Sequence, residues 1–260
     1  MKRGFKFQPN WNQELPVYWF DNSPVKTHFM NAFQFDFPGG EKYIIDSIRV
    51  FKKDIQDVEL QEDIEELFRQ ESWHTKVHTE YNSWLEKCGY PIHKMHKPSD
   101  TKVTSDLGNL ACTVITEHLT VVISDWITSN PDMIEKMHPH FKEMWQWHMG
   151  EESDHRGVSY DVWNTIVNKV IQKHPSFQQT SKKILNRALP RLTFLIYKNM
   201  LLNTITLLRK DGQLYKWKTL KDFLTLMFNP RSGFVIHTLV PTLNLLRKDF
   251  HPWKYASNHK

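Results

Sequence analysis

Two short stretches of the chain each place a glutamate three residues before a histidine. They are Glu71 with His74 and Glu152 with His155, and both lie within long stretches of helical periodicity. Side chains three positions apart on an α-helix share one face, with Cβ atoms roughly 5–6 Å apart. A carboxylate and an imidazole from one turn can therefore bind the same metal ion. A single such pair is a weak signal, but two of them favour a fold in which helices meet around a buried polar centre.

The first Glu-x-x-His pair belongs to a series of positions, three and four residues apart, that would lie on one face of a helix. Within it, Glu71, His74 and His78 occupy successive turns between apolar positions. One histidine on an apolar face is usually a satisfied core residue, whereas a glutamate with two histidines favours metal ligands. Gly89 closes the pattern, as a glycine after a helix does. The stripe steps by three and four residues through Ile64, Leu67, Glu71, His74, His78, Tyr81 and Leu85.

The second pair lies on a stripe with the same density of polar groups. Here His148 precedes the pair by one turn. Glu151 is adjacent to Glu152, and periodicity alone leaves open which of them is a ligand, although the three-residue spacing to His155 favours Glu152. The pattern predicts a helix from about Phe141 to Lys173, with a stripe of Phe141, Met144 or Trp145, His148, Glu152, His155, Ser159, Val162, Ile166 and Val170.

Two further glutamates each stand alone on an apolar stripe. Glu41 opens a helix predicted to begin near that residue, and Glu117 lies in a helix predicted from about Lys102 to Thr128. An inward carboxylate is costly unless it is paired or binds metal. Taken singly, Glu41 is better explained as a first-turn carboxylate favoured by the helix dipole, and the alternative for Glu117 alone is half of an interhelical salt bridge. His118 points about 100° away from Glu117 and could orient a ligating carboxylate.

Together these positions give the order Glu, Glu-x-x-His, Glu, Glu-x-x-His, which can hold two divalent ions. Carboxylate oxygen and imidazole nitrogen suit iron, which we favour, or manganese, with zinc also allowed. Glu151, His78 and His148 are extra candidates for metal binding. His78, His148 and His118 are the predicted catalytic residues, as bases or proton donors. The predicted ligands are Glu41, Glu71, His74, Glu117, Glu152 and His155.

The composition of the chain indicates in which cellular compartment the protein is found. Two cysteines, Cys88 and Cys112, argue against a disulfide scaffold and favour a cytoplasmic protein. The basic N-terminus lacks the apolar core of a signal peptide. Residues 192–208 are apolar but include Lys198 and Asn203, which favours a buried helix over a membrane span.

Residues 201–260 carry ten lysines and arginines against three aspartates, within a total net charge of +5. This basic end predicts a solvated face or, less commonly, an anionic partner or a peripheral membrane contact, but no specific nucleic acid.

Three parts follow along the chain and together form one domain. Residues 1–37 contain several prolines and many aromatic residues, which predicts an irregular arm that wraps the rest of the molecule. Residues 38–175 form the four-helix metal-binding bundle, with a loop at about 89–101. Residues 176–260 form a helical extension packed on the bundle, with helices at about 192–208, 217–228 and 233–246.

Five motifs in order along nearly the whole chain resemble the bacterial "predicted metal-dependent hydrolase" family. The resemblance implies a ferritin-like, mostly helical metalloprotein, and it leaves the reaction open because the hydrolase name is itself a prediction. Asp154 is a conservative departure, since glutamate is expected there. The motifs are Phe37-Pro38-Gly39-Gly40-Glu41, Arg69-Gln70-Glu71-x-x-His74-x-x-x-His78-x-x-Tyr81-Asn82, Thr116-Glu117-His118-x-Thr120, Trp145-x-Trp147-His148-x-x-Glu151-Glu152-x-Asp154-His155 and Phe250-His251-Pro252-Trp253.

The predicted fold class is all-α: a ferritin-like four-helix dimetal bundle with an irregular N-terminal arm and additional C-terminal helices. The favoured function is an O₂-activating oxidase or oxygenase with a di-iron site and a small hydrophobic, lipid-like or acyl substrate. Hydrolases with two metal ions usually carry their ligands on loops at strand ends, which is an argument by analogy. The alternative is a metal-dependent hydrolase that uses a metal-bound water. A non-catalytic metal-binding or redox protein is the third interpretation. A second copy of the chain, in a homodimer, is also among the predicted partners.

Overall fold

The predicted helices are present in the computed structural model, which describes residues 7–97 and 105–253. Residues 1–6 of the predicted arm and Lys102, the predicted start of a bundle helix, lie outside the described residues. Among the described residues there is no β-strand, and a single bridge pairs Phe20 with Met137. In chain order the α-helices are α1 (Pro24–Gln34), α2 (Phe37–Arg49), α3 (Val58–Lys87), α4 (Asp106–Thr128), α5 (Pro131–Glu135), α6 (Pro139–Lys173), α7 (Phe177–Lys210), α8 (Trp217–Phe228) and α9 (Phe234–Thr242).

The long bundle helices begin and end at local sequence signals. Asp57 accepts a hydrogen bond from the backbone N–H of Leu60 at the start of α3, and Ser105 accepts one from Gly108 at the start of α4. These caps satisfy N–H groups that the first turn leaves without intrahelical partners. Gly89 follows α3 with a φ of +87°, a conformation that glycine adopts without strain. The predicted glycine stop is therefore confirmed.

Helix α2 begins four residues earlier than predicted. It starts at Phe37, and Pro38 occupies its first turn, where a missing N–H and a fixed φ are well tolerated. Glu41 consequently lies beyond the first turn. The interpretation of Glu41 as a first-turn carboxylate held by the helix dipole is therefore wrong, and the burial of its side chain needs another explanation.

The predicted irregular arm is irregular only in part, because Pro24–Gln34 forms α1. Proline was expected to break helices in this region, but Pro24 occupies the first helical turn, where proline is favoured. The aromatic residues of the arm pack onto the bundle as expected. Trp19 stacks on Phe141 of α6 with ring centroids 4.4 Å apart.

The carboxylate of Asp211 anchors the arm to the C-terminal end of α7. Its Oδ2 accepts hydrogen bonds from the hydroxyls of Tyr18 (2.9 Å) and Tyr90 (3.0 Å) and from Nε2 of His28 (2.7 Å). Burial acts to raise the pKa of Asp211, but these donors lower it overall. The C-terminal helices are thus joined to both the arm and the bundle. The division of the chain at residues 37 and 175 stays a prediction.

The predicted C-terminal helices correspond to α7, α8 and α9, with a 3-10 turn at Leu243–Leu246. Helix α7 is longer than the apolar stretch at 192–208 because it begins at Phe177 and passes through Pro190. Since that earlier half has a polar, largely exposed surface, hydrophobicity alone did not indicate it.

Helix α4 lies at the centre of the molecule, where it packs against α2, α6, α7 and α9. By length and composition it could cross a membrane, but 78% of its most apolar window is buried inside the protein. It also carries Glu117 with no exposed surface. A buried core helix of a bundle has these properties, so α4 gives no support for a membrane span. The cytoplasmic location stays a prediction.

Candidate metal centre

All six predicted ligands are buried in one region between four helices, and none is more than 5% exposed. Within each Glu-x-x-His pair, both side chains lie on the same face of their helix because they are one turn apart. The two pairs face each other. The two solitary glutamates approach from the remaining helices. The six are Glu41 of α2, Glu71 and His74 of α3, Glu117 of α4, and Glu152 and His155 of α6.

The two Glu-x-x-His pairs form a compact group. One ligand atom from each of Glu71, His74, Glu152 and His155 lies within 4.8 Å of the others. Nδ1 of His155 is 3.0 Å from Oε1 of Glu71, and Nδ1 of His74 is 3.7 Å from an oxygen of Glu71. Both imidazoles therefore turn Nδ1 towards the carboxylates. Four oxygen and nitrogen atoms at these separations can surround one divalent ion.

A second group consists of Glu41, His78 and His148, whose ligand atoms also lie within 4.8 Å of one another. Nε2 of His148 is 3.0 Å from Oε1 of Glu152, so the two groups adjoin. Burial, followed by the charge of His74, lowers the pKa of His148. Burial, followed by the charge of His148, lowers the pKa of His78 well below its usual value. Both extra histidines of the sequence pattern are thus brought to the centre.

The carboxylates of the centre crowd one another. Burial and then the charges of Glu71, Glu152 and Glu41 raise the pKa of Glu117 well above its usual range. Burial, followed by the charge of Glu71, raises the pKa of Glu41 in the same way. No salt bridge involves Glu117 in the described part of the chain, so the interpretation of this residue as half of an interhelical salt bridge is wrong.

The buried atoms without partners fit a pair of metal ions. Both oxygens of Glu41 and Glu117 lack hydrogen-bond partners within the described residues, and the 3.0 Å contact between Oε1 of Glu71 and Nδ1 of His155 is an ion-pair contact without hydrogen-bond geometry. Polar groups buried in this way cost free energy unless something compensates them. Divalent cations would do so. The donor set of carboxylate oxygen and imidazole nitrogen matches iron, manganese or zinc rather than metals that prefer thiolates.

Hydrogen bonds behind the two imidazoles fix their orientation. Nε2 of His74 donates to Oε2 of Glu151 (2.9 Å), and Nε2 of His155 donates to Oε1 of Gln70 (2.9 Å). Gln70 in turn donates from Nε2 to Oε1 of Glu151 (3.2 Å). Because the outer partners are oxygen acceptors, each outer nitrogen carries the hydrogen. In the neutral ring that a metal ion requires, Nδ1 then carries the lone pair for the metal.

This arrangement separates the roles of the two adjacent glutamates. Glu152 faces the inner Nδ1 atoms, in agreement with the three-residue spacing, whereas Glu151 faces the outer side of His74. The geometry therefore does not support the prediction that Glu151 is an extra metal ligand. Gln70 was missed by the sequence reasoning. The sequence does contain one signal for Gln70: it is adjacent to the ligand Glu71 and points about 100° away from it around the helix.

The two oxygens of Glu152 have different surroundings. Oε2 accepts a hydrogen bond from the hydroxyl of Thr120 (2.9 Å). Oε1 faces three imidazoles: Nε2 of His148 at 3.0 Å, Nδ1 of His74 at 3.7 Å and Nδ1 of His155 at 3.9 Å. Burial acts to raise the pKa of Glu152, but the imidazoles, His148 first, lower it overall. Thr120 therefore helps to hold Oε1 towards the candidate ligands.

His118, which was predicted to be catalytic, lies away from this centre. Its Nε2 donates to the backbone carbonyls of Pro241 (3.3 Å) and Thr242 (3.2 Å) at the end of α9. Burial and then the charge of Arg156 lower the pKa of His118 to about 4. Since adjacent residues on a helix point about 100° apart, Glu117 faces the centre while His118 faces α9. The structure does not bring His118 to the reacting region.

A cavity of about 130 Å³ opens onto the centre. Its polar lining includes Glu41, Glu71, Glu152 and His148 of the centre, together with Asp36, Asn199 and Asn203. The remaining wall is largely apolar, and none of the lining residues is a lysine or an arginine within the described part of the chain. Its apolar side chains come from α2, α4, α7 and the segment around α1, and include Phe33, Phe35, Phe37, Leu119, Ile123, Leu192, Ile196 and Met200.

The fold and the site together define an all-α protein with buried glutamate and histidine clusters able to bind metal. The chain belongs to the family described as "Predicted metal-dependent hydrolase", whose family model matches residues 2–256. The resemblance seen in the five motifs is thereby confirmed. No curated protein and no solved structure matches the chain significantly. The ferritin-like character of the bundle is consistent with the helical ligand plan and stays a prediction in its details.

Proposed function

We propose that this protein is a metal-dependent hydrolase that cleaves neutral, largely apolar acyl substrates. The observation that carries the proposal is a group of buried carboxylates and imidazoles, several of whose atoms have no hydrogen-bond partner, beside a largely apolar cavity. The family description supports a hydrolase over the oxidase favoured by the sequence analysis. That preference rested on an analogy about where other hydrolases carry their ligands, and such analogies are weak guides to chemistry.

The residues of the centre would hold two divalent ions, one mainly between the two Glu-x-x-His pairs and one on the side of Glu41, where the second group of ligand atoms lies. When bound, such ions polarise a carbonyl oxygen and make water a better nucleophile near neutral pH. Glu151 and Gln70 keep the two imidazoles in the tautomer that leaves Nδ1 free. Thr120 fixes the direction of Glu152. The protein thus supplies ligand geometry in a site largely shielded from solvent.

The substrate class follows from the wall of the cavity. The bound ions would offset the charge of Glu41, Glu71 and Glu152, and the rest of the wall offers an anionic group no lysine or arginine among the described lining residues. Because that wall is largely apolar, a neutral ester, thioester or amide can bury its apolar part against the phenylalanines and aliphatic residues. We therefore expect neutral acyl compounds to be preferred over phosphate esters.

The direct test uses metal-stripped protein reloaded with Zn²⁺, Mn²⁺ or Fe²⁺ without oxygen. We expect hydrolysis of p-nitrophenyl esters that requires metal and improves from acetate to octanoate, with little cleavage of p-nitrophenyl phosphate. Glu152→Ala should lose activity and metal together, whereas Glu143→Ala, an exposed change on the same helix, should retain both. Failure of every loaded form to cleave any of these esters would count against the proposal.

An O₂-activating oxidase or oxygenase is the second candidate. Its support is a ligand set with four glutamates, all carried by helices and placed beside an apolar cavity. Iron prefers such oxygen-rich sites. Exposure of the reduced, iron-loaded protein to O₂ distinguishes the two candidates. Stoichiometric O₂ consumption with a new absorption band, in protein that hydrolyses no ester, would favour oxidation. Tight metal binding with neither activity would favour a non-catalytic metal protein.

A further inference from the structure

We propose that His148 is a seventh metal ligand that binds through Nε2, and that His78 positions His148 without binding metal itself. The inference rests on the metal centre proposed above and adds a third imidazole to it. Spacing alone could not separate these two histidines, because each lies one turn from a Glu-x-x-His pair. Their hydrogen bonds do separate them.

A chain of hydrogen bonds leading to His78 has a fixed direction because it ends at a backbone carbonyl. The carbonyl of Phe35 can only accept, so Nδ2 of Asn82 donates to it (2.7 Å). Oδ1 of Asn82 is then an acceptor, and it receives Nε2 of Gln34 (3.0 Å). Oε1 of Gln34 is left to accept from Nδ1 of His78 (3.1 Å). His78 therefore carries its hydrogen on Nδ1.

The direction continues from His78 into the metal centre. With hydrogen on Nδ1, the neutral ring of His78 has a lone pair on Nε2, which accepts from Nδ1 of His148 (3.2 Å). Neutral His148 then has its own lone pair on Nε2, aimed at Oε1 of Glu152, 3.0 Å away. Two acceptors at this distance repel each other unless a proton or a metal ion is shared between them, and in metal-loaded protein the metal ion takes the place of the proton. A metal ion that takes Nε2 of His148 and Oε1 of Glu152 resolves this repulsion.

Packing holds both rings in place, so that His148 and His78 cannot exchange the roles of metal ligand and positioning residue. Phe37 stacks on His148 with centroids 5.1 Å apart and meets the ring of His78 edge-on at 4.8 Å. Both histidines are at most 2% exposed. Because both nitrogens of His78 are used in hydrogen bonds, it has no lone pair left for a metal. The chain also ends at a carbonyl, which cannot take up a proton, so it does not serve as a proton path to solvent.

The test is X-ray absorption of Zn²⁺-loaded protein, which counts the imidazoles bound to the metal. We expect three imidazoles per pair of ions in the wild type and in His78→Gln, and two in His148→Ala. In His78→Gln the zinc affinity should fall about tenfold, as expected when a residue that orients a ligand is replaced. Circular dichroism of each variant checks that the helices are retained. His148→Gln provides a second variant if His148→Ala does not fold.

The outcomes separate this inference from the metal centre itself. An unchanged imidazole count in both His148 variants would overturn the inference while leaving the centre intact. An equal loss in His78→Gln and His148→Ala would overturn the distinction between the two histidines. If wild-type protein binds no Zn²⁺ and Glu71→Ala behaves identically, the proposed centre fails as a whole.

Independently of the metal centre, we infer that the exposed face of α8 binds an anionic membrane surface. Trp217 is 77% exposed and Phe228 is 54% exposed. Leu220 and Leu224 lie between them, and the spacing of three, four and four residues puts all four on one side of the helix. Trp217, Leu220, Leu224 and Phe228 also line one shallow surface depression. Elsewhere on its surface α8 buries Thr219 and Met227.

The charge of the segment that carries this face matches an anionic lipid headgroup. Residues 209–231, which comprise α8 and its flanks in the chain, contain six lysines and arginines but only two aspartates, and Lys221 lines the same depression as the apolar residues. Asp211 is engaged by Tyr18, Tyr90 and His28, and Asp222 pairs with Lys218 (2.7 Å). An apolar, aromatic-bearing helix face with cationic neighbours is the arrangement that lies in a membrane interface.

Vesicle co-sedimentation tests the surface. We expect full-length protein to bind vesicles of equal phosphatidylglycerol and phosphatidylcholine at least fivefold more tightly than phosphatidylcholine alone, with weaker binding at high salt. Trp217→Ser with Leu224→Ser should abolish binding, whereas Phe194→Ser, equally exposed on α7, should not. Absence of vesicle binding would overturn the inference. So would a dimer seen by light scattering that only the double variant disrupts, because a second copy would then be the occupant.

Discussion

Glu151 acts on the metal centre through another side chain. Its carboxylate accepts the outer N–H of His74 at 2.9 Å and is itself held by Gln70. We predict that Glu151→Ala lowers Zn²⁺ affinity about 10- to 100-fold without loss of helix content, because such outer partners fix the tautomer and raise the basicity of a ligand. Competition with a fluorescent chelator measures the affinity. Glu143→Ala, an exposed change on α6, is the matched control, and equal affinities for the two variants would contradict the role.

His118 makes the protein sensitive to acid. Its pKa is lowered to about 4 by burial and then by Arg156, whereas a histidine in the unfolded chain titrates near 6.5. The unfolded state therefore takes up a proton first. The stability due to neutral His118 is complete above about pH 6.5 and is lost as the pH falls towards 4, by at most about 1.4 kcal/mol per pH unit.

The matching experiment is denaturant unfolding of metal-free protein between pH 7 and pH 4. His118→Asn should be less stable than wild type at pH 7, since its donor to the α9 carbonyls is displaced, and should lose less stability on acidification. Catalytic activity of the metal-loaded variant at pH 7 should stay near the wild-type value per folded molecule. A pH dependence identical to that of wild type would show that His118 does not titrate as argued.

At the scale of elements, the C-terminal segment packs closely on α6 at Gly157. A Cβ at Gly157 would lie 2.3 Å from the ring of Trp253, whose Nε1 donates to Asp161 (2.7 Å). We predict that Gly157→Ala pushes this ring away and destabilises the protein by about 1–3 kcal/mol. Gly150 on the same helix has nothing within 4 Å, so Gly150→Ala should stabilise it by about 0.5–1 kcal/mol. Denaturant unfolding followed by tryptophan fluorescence compares them, and equal effects would exclude this packing argument.

Elements also mark the limit of what the sequence could predict. Periodicity indicated α3, α4, α6 and α8 well, because an amphipathic or capped helix leaves a local signal. It misjudged Pro24 and Pro38, because proline breaks a helix interior but favours its first turn. The glutamates and histidines that the structure brings together were found from spacing. The positions of Gln34, Asn82 and the Phe35 carbonyl behind His78 depend on how α1 meets α3, which no local pattern encodes.

At the scale of the whole molecule, the buried carboxylates of Glu41 and Glu117 oppose folding at neutral pH unless metal is bound. Burial, with Glu71, Glu152 and Glu41, raises the pKa of Glu117, so the folded metal-free protein holds a proton that the unfolded chain loses above about pH 4.3. The stability due to protonated Glu117 is complete below that pH and is lost as the pH rises through the folded pKa, by at most about 1.4 kcal/mol per pH unit.

Glu117→Gln keeps the shape of this side chain and removes its titration. Metal-free Glu117→Gln should therefore be more stable than metal-free wild type at pH 8, and the difference should shrink towards pH 4. With metal the order should reverse, because wild type gains about 2.7 kcal/mol at a free metal concentration 100 times its dissociation constant, whereas the variant lacks one ligand. Unfolding curves with Zn²⁺ and with a chelator measure both effects. A metal-free variant less stable than wild type at pH 8 would mean that Glu117 is compensated by something other than metal.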